Sequence, residues 1–254
     1  MKKSLLFEKI DPISRLIEMV ILFFAISLGF IVENYREDYS EQLNSEKLIS
    51  SLLKDLKGDL IRFDEFTELR KTLIKDVYSF IDDVEKNGLK KNDLDQQILF
   101  AKAIFNWTYF KPNKANIEQI ISSGALRYLG EDNLIYQIGI IEASTISIID
   151  RQEREQEYFL NYLQPLMHEY YNFKWLNNNY VRKWEPFINS IAALKKNQSN
   201  IKEYMFWEED KNLEKKIINL FENYVFILRS SFGVSYDEYI NQVNKTIALI
   251  ETKK

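Results

Sequence analysis

Residues 19–32, MVILFFAISLGFIV, are fourteen consecutive positions without a charged side chain. With Leu16, Ile17 and Glu18 this stretch covers seventeen residues, or about 25 Å of helix. A membrane-spanning helix needs about 20 mostly apolar residues, with a lower limit of roughly 17. We therefore predict a transmembrane helix at residues 16–34. The main alternative is a cleaved signal peptide, although no clear A-x-A cleavage site follows the stretch.

The charged residues on the two sides of this stretch differ in sign. Before it stand four basic residues, Lys2, Lys3, Lys9 and Arg15. Directly after it stand Arg36 and four acidic residues, Glu33, Glu37, Asp38 and Glu41. An excess of Lys and Arg marks the cytoplasmic side of a membrane span. We therefore expect a single-pass protein of the cell inner membrane, with residues 1–15 in the cytoplasm and a helical domain, residues 35–254, in the periplasm.

Two small residues, Ala25 and Gly29, lie four positions apart in the apolar stretch and so share one face of a helix. Small side chains at this spacing let two membrane-embedded helices approach closely. The alternative is chance, because the pattern is common. The pair predicts a packing face for a second copy of the chain or for another membrane protein, and the bilayer is the expected partner of the rest of the span.

Apolar residues then recur every three or four positions, which predicts an amphipathic helix with a near-heptad stripe. They are Ile49, Leu52, Leu53, Leu56, Leu60, Phe63, Phe66, Leu69, Leu73, Val77, Phe80 and Val84. Asn87-Gly88 is a typical helix end. A coiled coil would give the same stripe, but the many aromatic residues favour packing inside a helical bundle. Because the chain has only 7 Gly and 4 Pro, the predicted fold class is all-α, a transmembrane helix followed by a bundle of long helices.

Residues typical of helix starts and ends predict three further helices in the middle of the chain. Asp93 and Gln96 have the spacing of a capping box, which predicts that a second helix begins there. A short third helix is expected to end at Gly124. A long helix is expected to begin near Leu134 and to kink or end at Pro165, because proline cannot donate a backbone hydrogen bond.

Two more helices are predicted near the C-terminus. The first covers residues 210–231, and residues 232–234, Phe-Gly-Val, are expected to turn the chain. Ser235 and Glu238 have capping-box spacing and predict the start of the last helix. Its expected core residues are Tyr239, Val243, Ile247 and Ile250.

The composition excludes several kinds of chemistry. The chain has no Cys, which excludes disulfides and thiol catalysis, and a single His, His168, which leaves too few ligands for a zinc site. With 34 basic and 38 acidic residues, the net charge of −4 does not favour nucleic acid as a partner. We predict no catalytic residue, cofactor or metal. We interpret Glu153, Glu155 and Glu157, which alternate along a helix, as solvent-facing.

One group of aromatic and basic residues is a candidate ligand-binding or lipid-facing cluster. Its members are Tyr170, Tyr171, Trp175, Arg182 and Trp184. Aromatic rings with a nearby cation suit an apolar or anionic ligand, and Trp and Tyr are also enriched at lipid headgroups. Ordinary packing between helices is the default alternative.

Three stretches resemble an uncharacterised family of single-span membrane proteins from Bacteroidota, described only as a domain of unknown function. They are LIEMVILFFAISLGFIVENYREDYSE at 16–41, SLLKDLKGDL at 51–60 and NIEQIISSGALRYLGEDNLIYQI at 116–138. The resemblance covers roughly residues 10–150. The chain departs from the family at residues 32–35, Val-Glu-Asn-Tyr, where the family more often has a Gln and a Trp. The resemblance implies the membrane topology and no particular activity.

Together these features predict a membrane-anchored helical protein of the bacterial envelope that works by binding, as a sensor or scaffold. Two alternatives stay open. One is a cofactor-free enzyme that uses carboxylates in a cleft of the bundle, and a buried pair of converging carboxylates would favour it. The other is a structural subunit of a larger membrane complex.

Overall fold

The computed structural model describes residues 12–90, 93–105, 107–129, 132–171, 173 and 210–252. Within these ranges the chain is helical and contains no extended strand, as the sequence predicts. The helices are α1 (Pro12–Asn87), α2 (Leu94–Phe105), α3 (Ala115–Ser122), α4 (Asp132–Tyr158), α5 (Gln164–Tyr170), α6 (Lys211–Ser231) and α7 (Asp237–Glu251). A 3₁₀ turn covers Ala125–Tyr128. Two π-helical segments, Phe159–Leu163 and Phe232–Tyr236, join α4 to α5 and α6 to α7.

Helix α1 is one uninterrupted helix of 76 residues, or about 114 Å at 1.5 Å per residue. Its side chains from residue 13 to residue 44 are exposed or half-buried, and the first buried one is Ser45. The Ser45 hydroxyl donates a hydrogen bond to the carbonyl of Ala125, 3.2 Å away. The first part of α1 therefore projects from the rest of the protein, and the part that begins at Ser45 belongs to a bundle.

The bundle contains four rods that alternate in direction. We call its end at Ser45 the near end and its end at Asn87 the far end. α1 runs from near to far, α2 and α3 return, α4 and α5 run to the far end, and α6 and α7 return. Two contacts fix this order: Leu134, at the start of α4, lies beside Ile49, and Tyr171, just after α5, stacks on Phe100.

Two apolar clusters fill the bundle. The near-end cluster combines the α1 residues from Ile49 to Phe66 with α3, α4 and α7. The far-end cluster combines the α1 residues from Leu73 to Val84 with α2, α5 and α6. Between Phe66 and Leu73 the core position of α1 is occupied by Arg70, which is 1% exposed. The clusters are therefore separated along α1 by a polar layer.

Several helix boundaries confirm the sequence predictions. α1 ends at Asn87, and Gly88 and Gly124 have positive φ angles of 71° and 73°, which favour glycine. The carboxylate of Asp93 accepts hydrogen bonds from the backbone N–H groups of residues 95 and 96, so Asp93 caps α2. Gln96 does not complete a capping box, because its side-chain oxygen accepts a hydrogen bond from the backbone N–H of Lys90, at 2.8 Å, and not from that of Asp93.

One alternative of the prediction at Pro165 and two further boundary predictions are wrong. Pro165 does not end the long helix, because a π-helical segment precedes it and the helix continues as α5. The wider π turn accommodates the missing N–H of proline. Residues 232–234 do not turn the chain but lie in the second π segment. Ser235 caps no helix, because it lies inside this segment and its hydroxyl is 3.0 Å from that of Ser147.

Candidate functional site: a buried polar centre

The predicted span-packing face is fully exposed. Ala25 and Gly29 lie on the projecting part of α1, and a Cβ added at Gly29 would meet no atom within 4 Å. No other helix in the described parts of the chain has an 18-residue window as apolar as that of α1, whose mean hydropathy is 2.3 with none of it buried. α1 is therefore long and apolar enough to cross a membrane.

The predicted aromatic cluster is only partly covered by the structure. Trp175, Arg182 and Trp184 lie outside the described residues. Tyr170 is half-buried, whereas Tyr171 is buried in the far-end cluster, where its ring centroid is 5.6 Å from that of Phe100. Tyr171 therefore packs between helices, and a ligand-binding role for the whole cluster stays a prediction.

The most unusual site is an ion pair in the middle of the bundle. Arg70 Nη2 on α1 lies 2.6 Å from Glu155 Oε2 on α4, and the two side chains are 1% and 0% exposed. The interpretation of Glu155 as solvent-facing is therefore wrong, although its neighbours Glu153 and Glu157 are exposed. Removing one partner of such a buried pair leaves an uncompensated charge and costs about 3–5 kcal/mol.

Three further side chains complete the surroundings of the Glu155 carboxylate. Ser231 Oγ and Tyr236 OH donate to Oε1 at 2.6 and 3.3 Å, and Trp107 Nε1 donates to Oε2 at 3.3 Å. Three hydrogen bonds and the ion pair with Arg70 therefore converge on the two oxygens.

Two aromatic rings lie against the Arg70 guanidinium. Its central carbon lies 5.1 Å from the ring centroid of Phe66 and 5.0 Å from that of Trp107, within the range of cation–π attraction. None of the three guanidinium nitrogens makes a hydrogen bond in the described structure, so the contact of Nη2 with Glu155 is an ion pair alone. The hydroxyl of Tyr224 on α6 is likewise buried without a partner.

The second π segment shapes this centre. It begins directly after Ser231 and ends at Tyr236, and both of these residues bind Glu155. Mid-helix π turns re-aim side chains and are frequent at functional sites. Burial raises the pKa values of Tyr236 and Tyr224 well above that of free tyrosine, and the negative charge of Glu155 raises both further. Both hydroxyls are therefore neutral hydrogen-bonding groups at physiological pH.

A second buried carboxylate, Asp59, lies nearer to the near end and has its own partners. Its Oδ2 accepts hydrogen bonds from Tyr239 OH at 3.1 Å and from the backbone N–H of Asn113 at 2.9 Å, and its Oδ1 pairs with Arg62. Burial raises the pKa of Asp59, and these contacts oppose the shift only in part. Asp59 and Glu155 thus sit in separate hydrogen-bond sets, and no group of three or more His, Asp or Glu side chains converges in the described parts of the chain.

Two hollows of similar size lie on the surface of the described residues. One, of about 500 Å³, lies between α1 and α6 and is lined by Tyr78, Phe226 and Arg229. Phe226 is 70% exposed, and Arg229 donates to the hydroxyl of Tyr78 at 3.0 Å. The other, of about 490 Å³, opens at the near end beside Ser45 and Tyr128. Apolar and polar groups are mixed in both, and neither contacts the buried ion pair.

Comparison of the chain with protein-family models, with curated proteins and with solved structures finds no match.

The spacing of core positions on two helices is a sequence signal for the polar centre. The core positions of α1 follow steps of four and three through Phe66, Arg70, Leu73 and Val77. Leu69, which was placed in the stripe, is 51% exposed. On α4, steps of four and three likewise lead from Ile148 through Gln152 to Glu155, and all three are buried. A charge that falls on the core face of each of two helices predicts a buried pair.

Proposed function

We propose that this protein is a single-span anchor of the bacterial inner membrane whose helical bundle lies in the periplasm and works by binding, as a sensor or scaffold. The observation that carries the proposal is the continuity of α1. One helix holds the apolar stretch of residues 19–32 and also contributes the central stripe of both core clusters. The charge difference across the apolar stretch and the family resemblance support the same topology.

A continuous helix couples the bundle mechanically to the span. Ser45 lies thirteen positions after Val32, or about 20 Å along a helix, and the residues between them include no glycine or proline. A helix transmits rotation and displacement, whereas a Gly/Ser linker behaves as a flexible coil. Binding at the bundle would therefore change how the span packs against its neighbours, at Ala25 and Gly29 if that face is used. Output passes to another membrane protein or to a second copy.

The polar centre gives the bundle a place where such a change can occur. The near-end and far-end clusters meet at Arg70 and Glu155, beside a π segment. Hydrogen bonds between charged groups depend on direction as well as on distance. Sliding one cluster relative to the other would therefore break these contacts, in addition to changing the area of apolar contact. We propose that this layer sets the register between the two clusters.

The coupling is tested by two insertions of equal length between the exposed residues Tyr39 and Ser40. Seven glycines break the helix, whereas seven alanine-rich helical residues keep it and rotate the bundle by only about 20°. In a strain that lacks the gene, the helical insertion should restore the wild-type phenotype and the glycine insertion should not, although both proteins reach the membrane folded. Equal rescue by both would leave α1 a passive tether.

Topology is tested separately. A reporter enzyme that is active only outside the cytoplasm, fused after Lys254, should be active in cells. Activity from a cytoplasm-only reporter at the same position would refute the periplasmic placement without affecting the coupling argument.

A further inference from the structure

Two hollows between α1 and the C-terminal part of α6 join into one groove, because Arg229 lines both. The first, of about 500 Å³, is lined by Tyr78 and Phe226, and the second, of about 420 Å³, by Lys71 and Phe232. On α1 the groove extends from Lys71 to Tyr78, seven positions or about 10 Å along the helix. A third helix packs into a groove of this kind between two helices, and this one has room for about two of its turns.

The walls of the groove are apolar and are only partly covered by the bundle. Ile74 and Phe232 are half-buried, and the ring of Phe226 is 70% exposed, although the neighbouring Val225 is buried. Aromatic and arginine side chains are enriched at protein interfaces and among the residues that dominate binding energy. The exposed phenylalanine beside Arg229 therefore has the character of an interface anchor.

Arg229 brings a positive charge to the groove that no described carboxylate neutralises. Its Nη1 donates to Tyr78 OH at 3.0 Å, which holds the guanidinium beside α1, and it makes no ion pair within the described parts of the chain. Lys71 is already paired with Glu68 at 2.6 Å. Glu222, in the first hollow, lies seven positions from Arg229, about 10 Å along α6. Because a guanidinium binds a carboxylate with two parallel hydrogen bonds, Arg229 is complementary to an acidic group.

The position of the groove excludes two occupants, if α1 crosses the membrane as proposed above. Lys71 lies 39 positions after Val32, or about 58 Å along one continuous helix, so lipid headgroups do not reach the groove. Two copies in one membrane are related by an axis along the membrane normal. A symmetric pair joined through this groove would place Arg229 of one copy against Arg229 of the other, and such a contact between like charges is unfavourable.

We propose that the groove binds an amphipathic helix of another periplasmic protein, with one acidic side chain against Arg229 and an apolar side chain one turn away on each side. The two hollows share Arg229, and each has an apolar wall. The apolar residues of the partner must therefore lie three or four positions before and after the acidic one, which puts all three on one helical face. This inference rests on the proposed periplasmic placement and names the surface through which the bundle binds.

Photo-crosslinking of the full-length protein in living cells tests the proposal. With p-benzoylphenylalanine in place of Phe226, ultraviolet light should give an adduct to a helical segment with an acidic residue and apolar residues at this spacing, identified by mass spectrometry. The same amino acid in place of Tyr136, which is 72% exposed on α4, is the matched control and should not give this adduct. An adduct to lipid, to a second copy or to this chain itself, or no adduct, would overturn the proposal.

Substitutions at Arg229 test the role of its charge. Arg229→Gln should lower the adduct yield about tenfold, because one charge-assisted contact is lost. Arg154→Gln, at an exposed position of α4, should leave the yield unchanged. Both residues are exposed, so neither substitution should change the melting temperature. A yield that does not depend on Arg229 would overturn the proposal.

A charge exchange with the identified partner completes the test. Arg229→Glu should abolish the adduct, and lysine in place of the partner's acidic residue should restore it. Failure of the exchange to restore the adduct would refute the contact with Arg229. If these experiments fail while the helical insertion in α1 still restores the phenotype and the glycine insertion does not, the groove is refuted and the proposed coupling stands.

Discussion

The two parts of α1 form one helix but differ in what surrounds their apolar side chains. From residue 13 to residue 44 its side chains face outward and contact no apolar cluster of the protein, although residues 19–32 are entirely uncharged. From Ser45 to Asn87 one face of the helix is buried in the bundle, and the opposite face carries exposed, charged side chains. The second part is buried by its own chain, whereas none of the other described helices buries the apolar residues of the first. Both parts of α1 are helical. The spacing of their apolar residues determines which side chains are buried by the bundle and which are left for other surroundings.

The largest expected change in stability comes from breaking the ion pair of Arg70, the charged residue on the buried face of the second part. Glu155→Ala should lower the free energy of unfolding by about 3–5 kcal/mol, because it leaves a buried guanidinium without its counter-charge. Glu153→Ala, two residues away on the exposed face, should change it by about 0.5 kcal/mol or less. Denaturant unfolding of the detergent-solubilised protein, followed by circular dichroism, measures both. Equal effects of the two substitutions would mean that Glu155 is not buried.

Smaller changes in stability, opposite in sign, are expected when two glycines are replaced by alanine. Gly58 lies inside α1, and Gly88 directly follows it. Gly88→Ala should destabilise by about 1–2 kcal/mol, because an L-residue is strained at its φ angle of 71°. Gly58→Ala should stabilise by about 0.5–1 kcal/mol, since Gly58 is inside α1 and the nearest atom to an added Cβ is 3.9 Å away on a flexible arginine. Thermal unfolding of both variants checks the pair. A stabilising Gly88→Ala would contradict the helix end at Asn87.

The buried carboxylate Asp59 should make stability depend on pH. Its folded-state pKa is raised above the ordinary value of 3.8, chiefly by burial. The folded state therefore binds the proton more tightly than the unfolded state, and this contribution is fully present below pH 3.8 and is lost as the pH rises through the folded-state pKa. Asp59→Asn should remove this component.

The difference in unfolding free energy between wild type and Asp59→Asn, measured from pH 3 upward, isolates Asp59 from the other carboxylates. Relative to the variant, the wild type should lose stability as the pH rises. A constant difference across that range would show that Asp59 titrates alike in the two states.

The smallest effect is expected from removing the projecting part. A protein that lacks residues 1–32 should be soluble and should unfold with nearly the same free energy as the bundle of the full chain, because the deleted residues that the structure describes contribute nothing to either core cluster. Solubility and a cooperative melt of the fragment are the measurements. A non-cooperative melt would mean that the bundle depends on the span.

The comparison also explains which features the sequence could predict. The end of α1 and most of its core positions follow from local signals, namely Gly88 and the apolar period. The burial of Arg70 and Glu155 depends on two helices that are far apart in sequence, and each charge alone reads as a surface residue. The π segments were missed for a similar reason. Phe232-Gly233-Val234 carries turn residues, but the contacts of Ser231 and Tyr236 with Glu155 favour continued helix.

The central claim is that α1 is a single stiff helix across the boundary between its two parts, at Asn44-Ser45. Because the chain has no native Cys, spin labels can be placed on Tyr35→Cys and Ile61→Cys, at sites that are 75% and 67% exposed. Pulsed electron paramagnetic resonance on the reconstituted full-length protein then measures the distance between them. A continuous helix predicts a narrow distribution near 39 Å, from 26 residues at about 1.5 Å each. A broad distribution, or one centred well below that distance, would show a break or hinge and would contradict the coupling of the bundle to the span.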